Sequence, residues 1–205
     1  MKNKKDNFFE RVANFLFEVG TMRKLPRMHR QTLLTDDVSD TIASHSYRTA
    51  LTAWFLAKKE GADPYKTVMM ALIHDIAEAR TGDHNWVHKR YIKIFEEEIE
   101  AEQLGTLPFS DLQELHQEYQ ERKSKESQLA KQADLLDQIL LLREYEWQGN
   151  KEATLWLHSK GERNYKEGKV RLKKLTSQAA HKLGETIYKT DPSSWWESLW
   201  TSKNR

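Results

Sequence analysis

The chain has 205 residues, 33 Lys and Arg against 31 Asp and Glu, and no cysteine. A net charge of +2 supplies no broadly basic surface for nucleic acid, so a phosphate ligand needs local cations. The absent cysteines exclude disulfides and thiolate metal sites, and fit the reducing environment of the cytoplasm, where the protein is expected. No stretch is apolar for long enough to cross a membrane.

Taken in order, residues 7–21 place Phe8, Val12, Phe15, Leu16 and Val19 at helical spacing, an amphipathic helix rather than a signal peptide, because Glu10, Arg11 and Glu18 interrupt the apolar residues. Residues 22–40 hold Pro26, a basic cluster and then turn formers, which predicts a connecting loop. A helix is expected from about Ser44 to Lys59, closed at Gly61. Asp63 then caps a helix with Pro64 at its first position. That helix carries VMMALIHDIAEAR, and Gly82 is suited to close it. A Glu-rich helix is expected over 91–104, with a break at Leu107-Pro108 and another helix from about Ser110. Residues 126–149 predict a strong helix with Leu129, Ala133, Leu136, Ile139 and Leu140 on one face. One or two long helices fill 151–189, and SSWWESLW follows. No strand pattern or internal repeat emerges, so the expected class is all-α. The division is a domain over 1–150 and a helical extension over 151–205, packed on the core or on a partner subunit.

The chemistry concentrates at a few residues. His74 and Asp75 interrupt an apolar run, Met69 to Ile73, where an ionisable group costs roughly several kcal/mol unless it is paired or binds a metal. Glu78 follows one helical turn later. Asp134 repeats the anomaly in a second helix, and His45 opens a third. Each has an ordinary explanation when taken alone: a chance His-Asp pair, an Asp134 beside Lys131 or Gln138, a His45 bonded to backbone, a Glu78 paired with Arg80 or Lys66. Together, two imidazoles and two carboxylates suit a divalent metal such as Mn, Co, Fe, Ni or Zn.

Four segments, KLPR at 24–27, VSDTIASHSYRTA at 38–50, ALIHDIAEARTGD at 71–83 and LAKQADLLDQILLLREYE at 129–146, make the chain resemble the HD-domain phosphohydrolases. Within them it is most similar to the bacterial 5′-deoxynucleotidases and the HD domain-containing protein 2 family. The resemblance covers roughly residues 8–150 and implies an HD-type helical bundle. It implies His45, His74, Asp75 and Asp134 as metal ligands, Glu78 as acid/base carboxylate, Asp75 as a second catalytic group, and Arg27 as the phosphate contact. Asp83 matches a nucleoside-contacting position, with His84, Asn85 and Trp86 lining the turn after it. The implied reaction is release of phosphate from nucleoside 5′-monophosphates by metal-activated water, in a homodimer. Two departures stand out. Met28, His29 and Arg30 occupy the stretch where relatives carry a Trp near the sugar, so the sugar preference stays open. The motif before the first ligand is stretched to VSDTIASH, and His45 is preferred to His29 because Ser44 precedes it and SYRTA follows.

Competing readings are another HD phosphohydrolase (a phosphodiesterase, a nucleoside triphosphate hydrolase or an alarmone hydrolase) and a non-catalytic, metal-stabilised interaction module. Trp195, Trp196 and Trp200 read as a docking patch or subunit contact rather than a base-stacking platform. KVRLKKL at 169–175 reads as a solvated helix face, and His88 as a surface residue.

Overall fold

The computed structural model describes residues 7–158, 170–197 and 199. Trp200, Lys169 and the stretch 159–169 of the expected C-terminal helices lie outside the described residues. Among those described, thirteen α-helices and one isolated bridge, Pro26 to Thr41, make up the regular structure apart from a single 3₁₀ turn, so the fold is all-α. No described helix is long and apolar enough to cross a membrane.

Three helices carry the centre: α3 (Ile42–Glu60), α4 (Pro64–Ile73) and α9 (Lys125–Trp147), each packed against the other two. Helix α3 starts earlier than expected. The Thr41 side chain accepts from the Ser44 backbone N–H, and Ser44 Oγ accepts from Thr41 N–H at 2.9 Å. This reciprocal cap sets the first turn and puts His45 inside the helix rather than at its opening. Gly61 closes α3 at φ 69°, and Asp63 caps α4 through Tyr65 and Lys66 N–H, as expected. Apolar residues from all three helices meet in one core with Ala53, Leu56, Met70, Ala133, Leu136 and Ile139 fully or almost fully buried.

Around this centre run α1 (Asn7–Val19), α2 (His29–Leu33), α5 (Glu78–Thr81), α6 (Trp86–Lys89), α7 (Glu96–Gln103) and α8 (Asp111–Glu121). Helix α1 buries no residue fully; Phe15 and Val19 lean on Ile73, Ile76 and Leu104, while Phe9 and Phe17 face solvent. The expected loop 22–40 contains a 3₁₀ turn at Gly20–Lys24 and the short α2. The Glu-rich helix starts at Glu96, because α6 intervenes with Asn85 as its cap. At the C-terminal side are α10 (Lys151–His158), α11 (Val170–Lys173), α12 (Gln178–Lys189) and α13 (Ser194–Glu197). Helices α10 and α12 pack on α9, and Ala153, Leu157, Leu172, Leu175, Ala180 and Ile187 join the same core.

The largest departure lies in the helix expected to run unbroken to Arg80. It stops at Ile73, and residues 74–77 form tight turns with Ile76 N–H bonded to Ile73 O and Glu78 N–H to Asp75 O. Each bond spans three residues instead of four, the tighter winding that often marks a functional point in a helix.

Candidate metal centre

That interruption brings His74 and Asp75 to face α3 and α9. His45 Nε2 lies 3.2 Å from His74 Nε2 and 3.4 Å from Asp134 Oδ1. Asp75 Oδ2 lies 2.9 Å from His74 Nε2 and 3.5 Å from His45 Nε2. Donors about 2.1 Å from one ion stand about 3.0–3.4 Å apart at octahedral or tetrahedral angles, so this spacing fits a single metal. His45, His74 and Asp134 alone already place one ligand atom each within 4.8 Å of the others.

The far sides of His45, His74 and Asp134 are held. His74 Nδ1 donates to Ala71 O at 2.7 Å, leaving Nε2 with its lone pair toward the centre. His45 Nδ1 donates to Asp137 Oδ2 at 2.6 Å, which fixes the same tautomer and makes the imidazole a stronger donor. Asp137 is fully buried; Arg48 Nε donates to its other oxygen, and Arg48 Nη1 donates to Glu144 at 2.6 Å. Asp134 accepts from Lys131 Nζ at 2.7 Å through Oδ2, so the ordinary explanation of Asp134 is true of one oxygen while the other faces the histidines.

Electrostatics ask for a cation here. Burial pushes the His45 imidazole down and Arg27 adds to that, yet hydrogen bonds to Asp134, Asp137 and Asp75 lift it well above its ordinary value. Burial pushes Asp75 and Asp134 up, but the two imidazoles, with Lys131 beside Asp134, hold both below the usual carboxylate range. The residues thus stabilise positive charge between them, the property a divalent metal uses.

Next to the ligands is a cavity of about 160 Å³ lined by His74, Asp75, Glu78, Lys89, Arg122 and Lys131. Burial, then the nearby Asp75 and Asp83, push the Glu78 carboxyl up to about 9. Arg27 is nearly buried, with Nη1 3.6 Å from Asp137 Oδ2 and Nη2 3.3 Å from His29 Nε2. Its Nη1 has no hydrogen-bond partner, and its charge is felt at Asp75, Asp134 and Asp137.

The model of the HD domain family matches residues 22–176. The chain belongs to the HD domain family. It is 35% identical to the 5′-deoxynucleotidase HDDC2 of Bos taurus over 70% of this chain and 72% of that one. To the human protein of that name it is 33% identical over 66% of this chain and 68% of that one. A solved structure, a conserved hypothetical protein from Pyrococcus furiosus, superposes with a TM-score of 0.68 at 27% identity, covering 87% of this chain and 99% of that one. The chain is therefore a metal-dependent HD phosphohydrolase, and the reading as a non-catalytic module falls.

In this HD-domain protein the turn after α5 works on Arg27 from behind. Gly82 adopts φ 74° and ψ 166°, a region open essentially to glycine alone. Asp83 Oδ2 then accepts from Met28 N–H at 2.5 Å. Asn85 Nδ2 donates to Met28 O at 2.9 Å and to Gln31 Oε1 at 2.8 Å, while Oδ1 accepts from Val87 and His88 N–H. Asn85 is 2% exposed with both ends of its amide engaged, so it braces the Arg27 loop instead of meeting a ligand. His84 lines the cavity and packs against His88 at 5.7 Å between ring centroids. Trp86 is exposed. His29 lies beside Arg27 and the Trp156 ring, and its proton affinity is lowered to about 4 by burial and Arg27; it is not one of the clustered donors.

Asp137 and Arg48 escaped the sequence reading. The signal was present: Asp137 sits three residues after Asp134, between Leu136 and Ile139, the same misplaced carboxylate in an apolar helix. A wider groove of about 740 Å³, bordered by Arg48, Tyr145, Trp147, Trp195 and Trp196, reaches the site only through His45 and Arg48.

Proposed function

We propose that the protein releases inorganic phosphate from nucleoside 5′-monophosphates, ribo or deoxyribo. The observation that carries this reading is the convergence of His45, His74, Asp75 and Asp134 donors, 2.9–3.8 Å apart in the measured pairs, near a Glu78 carboxyl that burial pushes up and an Arg27 Nη1 without a hydrogen-bond partner. The names carried by the relatives support the substrate class. These four residues would hold a divalent metal, which would supply Lewis acidity and lower the pKa of water.

The chain's own groups do the rest. Arg27 offers a planar fork to the phosphoryl oxygens, which a lysine would not reproduce. Glu78, protonated near neutral pH, stands as the acid that delivers a proton to the departing 5′ oxygen. Asp75 would be both a metal ligand and an orienter of the attacking water. Asp83 and Asn85 clamp Met28 and so position Arg27; His84 lines the cavity on the nucleoside side, and the exposed Trp86 follows it in the turn. The competing HD phosphohydrolases share the ligands, and the names of the relatives favour the monophosphate reading.

We further propose a homodimer joined through the solvent-facing side of α3, where Tyr47, Leu51 and Phe55 are exposed next to Trp195 and Trp196; contiguous apolar surface of this kind marks an interface. Light scattering of Leu51→Glu with Phe55→Glu tests it, and an unchanged mass rejects that face.

The test of function is phosphate release from a panel of nucleoside 5′-monophosphates with Mn, Co, Ni, Zn or Mg, beside Asp75→Ala. Metal-dependent release by the wild type alone supports the reading. No release with any metal sinks the monophosphate assignment.

A further inference from the structure

Arg122 is a charge that the mechanism above leaves unused. It closes α8 at φ 57° and ψ 22°, the left-handed region where a side chain with a Cβ is strained and glycine is not. Among the described residues only Leu34 shares this feature without being glycine, and Leu34 is exposed at the end of a five-residue helix. Arg122 is placed differently. Its guanidinium carbon lies 3.3 Å from the centroid of the Tyr119 ring, and that ring is 5.6 Å from the ring of His74. Stacking holds the guanidinium plane while leaving its in-plane N–H edge available. Its Nη1 is closed to solvent and has no hydrogen-bond partner, an arrangement that costs stability unless something arrives to accept.

Arg122 lines the same cavity as His74, Asp75 and Glu78. Of the other cations there, Lys131 is bonded to Asp134 and Lys89 is exposed at the rim. The cavity, about 160 Å³, equals roughly five waters of liquid. That is room for a phosphoryl group.

We propose that Arg122 is a substrate-binding residue whose guanidinium takes the phosphoryl oxygens from the Tyr119 wall of the cavity. The proposal rests on the phosphomonoester reading of the site. A guanidinium kept at a strained backbone position, stacked flat with a buried donor unmade, is what a preorganised anion fork requires. A purely structural Arg122 makes the opposite prediction for one substitution. Arg122→Gly removes the fork and relaxes the backbone, so a binding role means weaker phosphate binding in a protein that is no less stable.

The experiment titrates inorganic phosphate into the full-length Mn²⁺-loaded protein by calorimetry, with thermal melts alongside. Arg122→Gly is expected to weaken phosphate binding by about ten- to a hundredfold while the melting temperature holds or rises by about 2–4 °C. Arg122→Lys, with charge but no fork, falls between. Phosphate binding within twofold of wild type in Arg122→Gly overturns the proposal. So does weakened binding accompanied by a lower melting temperature, which assigns the arginine to the wall itself, and so does a wild type that takes up no phosphate. Because this titration needs no turnover, a protein that binds phosphate through Arg122 yet cleaves no nucleoside monophosphate sinks the nucleotidase reading and leaves Arg122 standing.

Discussion

The metal centre and the turn over residues 82–92 sit side by side and are built in opposite ways. At the centre, every ligand stands on or directly after a long packed helix, and His45, His74 and Asp134 each have a second partner: Asp137, the Ala71 carbonyl and Lys131. The turn carries a single four-residue helix, and Trp86, Tyr91 and Ile92 on it face solvent. The centre is over-determined and the turn is not. Chemistry that tolerates little displacement belongs on rigid elements, while an exposed segment such as this turn is free to differ.

The sharpest way to break the comparison is to remove a ligand. His74→Ala or Asp75→Ala is expected to lose bound metal and about a thousandfold or more of turnover, since a catalytic metal contributes several kcal/mol to the barrier. Elemental analysis of the purified variant, read against its rate, checks both. Next is Asp137, which touches no substrate. Asp137→Ala leaves Arg48 and His45 facing an unpaired, fully buried position, at a cost of about 3–5 kcal/mol in denaturant midpoint. Asp137→Asn keeps the volume and is expected to weaken metal affinity by about 10–100-fold; unchanged affinity would show that the centre is less tightly determined than its geometry indicates.

Glu78 joins the two regions, and pH separates its effect. Its carboxyl is held at about 9 in the folded chain against an ordinary 4.5. Between these values the folded chain keeps a proton that the unfolded chain has released, so stability is full at and below the lower value and falls as pH rises through the upper one. Urea midpoints in EDTA at about pH 6 and pH 8.5 should therefore decline more steeply for the wild type than for Glu78→Gln, which keeps only the decline due to the raised His45 imidazole. The smallest effects are expected in the turn. Asn85→Ala should cost about 1–3 kcal/mol and raise KM through a loosened Arg27 loop, whereas Trp86→Ala should change only the ranking of nucleosides, within a few-fold, and leave the melting temperature in place.

The candidate ligands were legible because burying a charge is costly enough to mark the residue. His74-Asp75 after Met69 to Ile73, and Asp134 between Ala133 and Leu135, violate apolar periodicity that is otherwise consistent. Asp137 carried the same mark, but one helix does not reveal that the opposite partner is a histidine 92 residues away. The turn was misread in another sense. A residue type there says nothing of whether its amide faces a substrate or, as at Asn85, a neighbouring carbonyl.

By itself, then, the sequence determined the all-α class, the caps at Asp63 and Gly61, and which misplaced ionisable side chains to single out as candidate metal ligands, because propensity, capping and burial act over a few residues. Tertiary structure decided where α4 ends, which imidazole nitrogen faces the centre, and which of Asp83 and Asn85's groups were already taken. It also decided that Arg122 sits against Tyr119 and the cavity. These depend on contacts between segments distant in the chain, and local preference does not encode such contacts until packing brings the segments together.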